Sequence, residues 1–135
     1  MSQSVLAKPK AHVVLIDDDP AVLASLTFAF QVDGFEVEAF ASAAEAVGSN
    51  LAAASCLVVD YRLPGRDGLA MVEHLRRHGF RAPTVLITSH PTSADRARAA
   101  ALGVPIVEKP LLTSELVDLV HSVARPAEPP SATSI

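Results

Sequence analysis

The strongest constraint on this chain is a recurrence. Five short apolar runs, each followed by a segment of helical spacing, fill the sequence between residues 12 and 124. The runs are His12–Ile16, Phe35–Phe40, Cys56–Val59, Thr84–Ile87 and Val104–Val107. They are too short for buried helices, and most are rich in β-branched residues, so they read as strands. Strands that alternate with helices form a parallel sheet covered on both faces, which is why their residues are apolar throughout rather than alternately. The expected fold is α/β: a doubly wound, five-stranded parallel sheet with five helices. The second strand differs, because Phe35, Val37 and Ala39 alternate with Glu36 and Glu38, which predicts one wet face near a sheet edge.

Local signals place the helices. Asp19-Pro20 is an N-cap with proline at the first helical position, and Val22, Leu23, Leu26 and Phe30 form one stripe as far as Val32. Phe28 and Phe30 cannot both face the core squarely, so one is expected at a partner surface or in a helix–helix seam. Ser42 and Glu45 predict a capping box for a second helix ending near Asn50, and a third helix runs from Gly68 to His78. Thr92 and Asp95 box an alanine-rich fourth helix that stops at Gly103. Thr113 or Ser114 caps the fifth, with Leu116, Leu119, Val120 and Val123 facing inward.

At 135 residues the chain supports one domain, read as 12–124, between a loose arm at 1–11 and a proline-rich tail at 125–135. Half the residues are hydrophobic and 19% are charged, which excludes wholesale disorder. A net charge of −4 with five phenylalanines and one tyrosine argues against direct nucleic-acid binding. No apolar run is long enough to span a membrane, and the N-terminus lacks a secretory pattern. With a single cysteine, Cys56, the expected setting is the reducing cytoplasm.

Chemistry gathers at the strand ends. Four of the five runs finish in a reactive or charged group: Asp17 and Asp18, Asp60, Thr88 and Lys109. Ligands of open α/β sheets bind beyond the carboxyl ends of the strands, at the topological switch point. For the order 2-1-3-4-5 that point brings Asp17, Asp18 and Asp60 together. Three carboxylates at one place repel, and a hard divalent cation such as Mg²⁺ resolves the repulsion. Carboxylate, metal, hydroxyl and ammonium together suit phosphoryl transfer. Taken singly, each residue is better read as a helix cap, a surface charge or an ordinary strand threonine. His74 and His78, at i and i+4, read as a solvated helix face rather than a metal clamp.

The motifs VLIDDDP (14–20), VVDYRLPGRDGL (58–69), VLITS (85–89) and VEKP (107–110) resemble the receiver domain of two-component response regulators, a flavodoxin-like fold of the CheY-like superfamily. The helix start at Ser42 and the I-T-S-H wording are similar to FixJ-type receivers. This resemblance implies that Asp60 accepts the phosphoryl group, and that Thr88 and Lys109 serve as switch hydroxyl and phosphoryl partner. It implies Mg²⁺ held by Asp17 (through water), Asp18, Asp60 and the Arg62 backbone carbonyl, with Lys109–Pro110 cis. It further implies a histidine kinase or histidine phosphotransfer protein as donor. The readout would pass through a downstream protein, or through an output domain if the chain is a fragment. The face of helix four, strand five and helix five would be the partner surface and a candidate homodimer surface. By the same resemblance Arg62 and His90 occupy positions that flank the path of the hydrolytic water and would tune the lifetime of the phosphorylated state. Arg62 would shield the phosphoryl group, and His90 would either do likewise or orient a water as general base.

Two departures from the family pattern lie on that face: Ile106 replaces the usual switch aromatic, and Leu111 a common phenylalanine. The family comparison makes the chain a phospho-accepting signalling domain rather than an enzyme, beyond self-phosphotransfer and autodephosphorylation. A haloacid-dehalogenase reading of Asp17-x-Asp19 fails, because no later acidic pair follows Lys109 and Asp60 would have no role. A phosphate-blind binding module with this fold would be expected to have lost at least one of these acidic residues, Thr88 or Lys109.

Overall fold

A computed structural model describes residues 10–126, so most of the predicted arm and tail lies outside the described residues. The five strands are β1 (His12–Ile16), β2 (Glu36–Phe40), β3 (Cys56–Asp60), β4 (Thr84–Thr88) and β5 (Ile106–Glu108). They form one parallel sheet in the order β2-β1-β3-β4-β5. Between them run α1 (Pro20–Val32), α2 (Ala43–Val47), α3 (Gly68–Arg77), α4 (Ser93–Leu102) and, after β5, α5 (Thr113–Val123).

The sheet separates two cores. On one face Val14, Ile16, Leu57, Val59 and Leu86 pack against α2, α3 and α4. On the other, Val13, Leu15, Val58, Val85 and Ile87 pack against α1 and α5 through Leu26, Phe30, Leu116 and Val120. Alternate residues of each central strand therefore serve opposite cores. That is the physical reason for the unbroken apolar runs.

The edge strand β2 is less regular than its alternation predicts. Val37 joins the α1/α5 core and Phe40 the other, while Ala39 is exposed. The two phenylalanines of α1 divide, with Phe30 fully buried and Phe28 69% exposed.

Caps decide the helix limits. Asp19 Oδ1 accepts from the backbone N–H groups of Ala21 and Val22 at 2.9 and 3.4 Å. Thr92 and Asp95 form the predicted capping box, and Gly103 closes α4 at φ +69°. Three expectations need correction. First, α2 stops at Val47 with Gly48 as its cap, and Glu45 receives the N–H of Ala41 rather than that of Ser42, so the box is incomplete. Second, α5 begins after Leu112 with no side-chain cap, neither Thr113 nor Ser114 filling that role, because the helix is already seated by Leu116, Val117 and Val120. Third, β5 begins at Ile106 rather than Val104, since Pro105 has no N–H to donate to the ladder. Two features had no counterpart in the expectations. Arg62–Leu63 pairs with Arg66–Asp67 in a small antiparallel hairpin across Pro64-Gly65. Arg125, assigned to the tail, bonds the carbonyls of Ala52, Ala54 and Ser55 and so ties the end of α5 to the loop before β3.

Candidate functional site

Because β1 and β3 are neighbours whose following helices leave on opposite faces, their carboxyl ends open into one cleft. Asp17 and Asp18 follow β1, and Asp60 ends β3. Their carboxylate oxygens lie within 4.8 Å of one another, forming the one cluster of three such groups among the described residues. Asp17 and Asp60 are buried and Asp18 is exposed, so the cluster has two inner members and one at the solvent edge. The Asp17 backbone extends the pairing of β1 with β2 by donating to the Phe40 carbonyl at 3.1 Å.

Lys109 and Thr88 come from the other side. Thr88 ends β4, and the Lys109 N–H donates to its carbonyl at 2.9 Å, which fixes the lysine one strand over from the threonine. The Lys109–Pro110 bond is cis, and Lys109 Nζ lies 3.4 Å from Asp60 Oδ1. The buried Thr88 hydroxyl donates to the Ser89 carbonyl at 3.2 Å. All the strand-end residues singled out in the sequence thus meet at one edge of the sheet. Arg62 and His90 are exposed on its rim, and His90 is the one non-glycine residue at positive φ (+49°) among those described. Ile106 is half-buried against the α2–α4 core, not fully buried.

Electrostatics follow from burial. Burial pushes the Asp60 carboxyl above the ordinary carboxylate value, opposed chiefly by the Lys109 ammonium. Asp17 is also raised by burial, helped by the charges of Asp60 and Asp18 and opposed by the Asp19 N–H and Lys109. Asp17 Oδ1 accepts from Asp19 N at 2.9 Å, while its buried Oδ2 has no hydrogen-bond partner among the described residues. A buried acceptor left without a donor is costly. Its partner is supplied if a cation sits among the three carboxylates. The donor set is all oxygen, which suits Mg²⁺ rather than a soft metal.

Gly68 holds the cleft's floor in place. Its N–H donates to Tyr61 O at 2.7 Å, and a Cβ at this position would lie 2.5 Å from the Asp60 carbonyl oxygen. Sequence reasoning missed Asp67, which caps α3 by accepting from Ala70 N at 2.7 Å and also faces Arg98. The signal was present, since Asp immediately before a helical glycine is an N-cap pattern. The His74 and His78 rings lie with centroids 4.4 Å apart and planes 36° from parallel, and His78 Nδ1 bonds the His74 carbonyl.

Comparison with known proteins gives a consistent picture. A family model described as the response regulator receiver domain matches residues 13–121. Nodulation protein W of Bradyrhizobium diazoefficiens is 40% identical over 116 residues, which are 84% of this chain and 51% of that protein. The transcriptional regulatory protein FixJ of the same organism is 34% identical over 123 residues, 89% of this chain and 60% of its own. The chain therefore spans between half and three-fifths of the length of these relatives. Among solved structures, a CheY-like receiver domain from Methanospirillum hungatei superimposes with a TM-score of 0.76 at 19% identity, covering 84% of this chain and 93% of that one.

Proposed function

The chain belongs to the response regulator receiver domain family, and from that premise we propose that it takes a phosphoryl group onto Asp60 and signals by the change of shape that follows. Receiver domains act as phosphorylation-activated switches in two-component systems, and they bind Mg²⁺ through acidic residues. One observation carries the assignment to Asp60. It is the buried carboxylate that lies both within 4.8 Å of the other two acidic groups and 3.4 Å from a lysine ammonium.

In the transfer, an ionised Asp60 oxygen attacks phosphorus in line. The bond to the donor, the ring nitrogen of a phosphohistidine, breaks, and its electron pair leaves with the imidazole. Lys109 Nζ, already beside Asp60, balances charge on the phosphoryl oxygens, and Thr88 turns its hydroxyl toward them. Asp17, Asp18, Asp60 and the Arg62 carbonyl would hold Mg²⁺, which when bound offsets the negative charge of carboxylates and phosphate. Burial raises the Asp60 carboxyl, and the Lys109 ammonium opposes that rise by favouring the charged form that attacks.

Arg62, on the rim, covers the approach of the hydrolytic water and prolongs the phosphorylated state, and His90 sits at the other side of that path. The donor is a histidine kinase or histidine phosphotransfer protein, and the setting is the cytoplasm, consistent with one buried thiol at Cys56. Among the described residues no helix is long and apolar enough to cross a membrane. Readout runs through the α4–β5–α5 face, to a separate target, a second copy or an output domain on the same chain. The protein turns over no separate substrate.

Acetyl phosphate with Mg²⁺ tests the reading. Wild type should gain one hydroxylamine-labile phosphoryl group, and EDTA or Asp60→Asn should abolish it. Equal labelling of the Asp60→Asn protein would overturn it.

A further inference from the structure

Helix α4 is held differently from its neighbours. Five residues of α3 are buried, but in α4 only Ala99 is. So little apolar burial leaves polar ties to fix where the helix sits. Arg98, half-buried, lies 3.4 Å from Asp67 Oδ1 and 3.5 Å from Glu73 Oε1. Arg96 pairs with Glu108 at 2.8 Å, and Arg76 reaches the Leu102 carbonyl at 3.0 Å.

These ties touch the site on both flanks. Asp67 lies in the hairpin segment after Asp60, and Glu108 precedes Lys109. The third element, Thr88, opens the short connection that leads into α4. Its hydroxyl is committed to Ser89, and this connection contains His90 in the left-handed region that non-glycine residues rarely occupy. Turning Thr88 toward Asp60 therefore displaces Thr92, the cap of α4, and pulls against the ties of Arg98 and Arg96.

We propose that Arg98 and Arg96 are positioning residues that latch α4 to the segments on either side of the site, Arg98 through Asp67 and Arg96 through Glu108, setting how readily the Thr88 connection moves toward a phosphoryl group. The latch rests on the reading of Asp60 as the phospho-acceptor. Ile106 gives it its importance, because a side chain without a ring cannot swing between positions as a coupling element, and polar ties to α4 take over that work. Loosening them favours the moved conformation, and any ligand that selects that conformation then binds more tightly.

The test uses the whole chain with saturating Mg²⁺ and beryllofluoride as a phosphoryl mimic, comparing wild type, Arg96→Gln, Arg98→Gln and the double variant. Each single change should tighten beryllofluoride binding about three-fold while leaving Mg²⁺ affinity unchanged. The double variant should fall short of the product of the two, because both changes open one latch. Amides of α4 should exchange faster in the variants, and those of β3 should not. Unchanged or weaker beryllofluoride binding in both single variants overturns the latch, even if α4 exchanges faster, since the ties would then be structural only. Should wild type bind beryllofluoride no better than Asp60→Asn, the assignment of Asp60 itself fails and takes the latch with it.

Discussion

Arg62 is exposed, two residues beyond Asp60, and nothing in the fold requires its guanidinium for packing. Arg62→Ala should therefore leave stability within about 0.5 kcal/mol of wild type. The half-life of the phosphorylated protein should shorten several-fold, about 1 kcal/mol of barrier, in a decay time course at matched Mg²⁺. Equal decay would remove the shielding role. Cys56 is the opposite kind of residue. It is fully buried in β3, and burial pushes its thiol up to about 12 from an ordinary 9.0. In the native state it should resist thiol reagents at neutral pH and react only as fast as the protein opens. The sign for stability follows from the same shift. Below pH 9 both folded and unfolded chains hold the proton, so stability is unaffected. Between 9 and about 12 the unfolded chain ionises first, and stability falls by up to ~1.4 kcal/mol per pH unit. Urea titrations across that range should show this component in wild type and lack it in Cys56→Ala.

Among the elements, those whose limits depend on local chemistry were legible in the sequence. Asp19-Pro20 and the Thr92/Asp95 box mark helix starts because a side chain must accept orphan N–H groups there, and both lie where expected. The start of α5 was not legible, because apolar seating replaces a cap, and no local signal records seating. The hairpin at Arg62–Asp67 was equally hidden, two residues per strand being too few to show a period. Strand β5 tests the account at this scale. Ile106 is half-buried against the α2–α4 core, so Ile106→Ala should cost about 1–2 kcal/mol, below the range for a fully buried isoleucine. The rate of Asp60 phosphorylation by acetyl phosphate should stay within about two-fold, because the residue supplies no polar group to the site. A large loss of rate at intact stability would make Ile106 part of the reacting machinery.

For the whole molecule, the sheet order explains why so much of the site could be read from one sequence. Residues distant along the chain, such as Asp17, Asp60, Thr88 and Lys109, converge because each ends a parallel strand, and parallel strands share one carboxyl edge. What could not be read is set by three-dimensional contact. The unpartnered Asp17 Oδ2, the weak apolar seating of α4 and the approach of Gly68 to the Asp60 carbonyl leave no trace in spacing. The orphaned oxygen has a consequence for overall stability. Mg²⁺ at a hundred times its Kd should raise the unfolding free energy by about 2.7 kcal/mol, and EDTA should reverse the gain. Asp17→Asn should lose most of it, and an equal Mg²⁺ response in that variant would remove Asp17 from the metal site. The central claim, that Asp60 becomes the aspartyl phosphate, has a direct chemical readout. Borohydride reduces an acyl phosphate on aspartate to homoserine, so the acetyl-phosphate-treated protein should carry homoserine at position 60 and nowhere else when its peptides are sequenced by mass spectrometry. Homoserine at position 17 or 18, or none at position 60 in a protein shown to be phosphorylated, would contradict it.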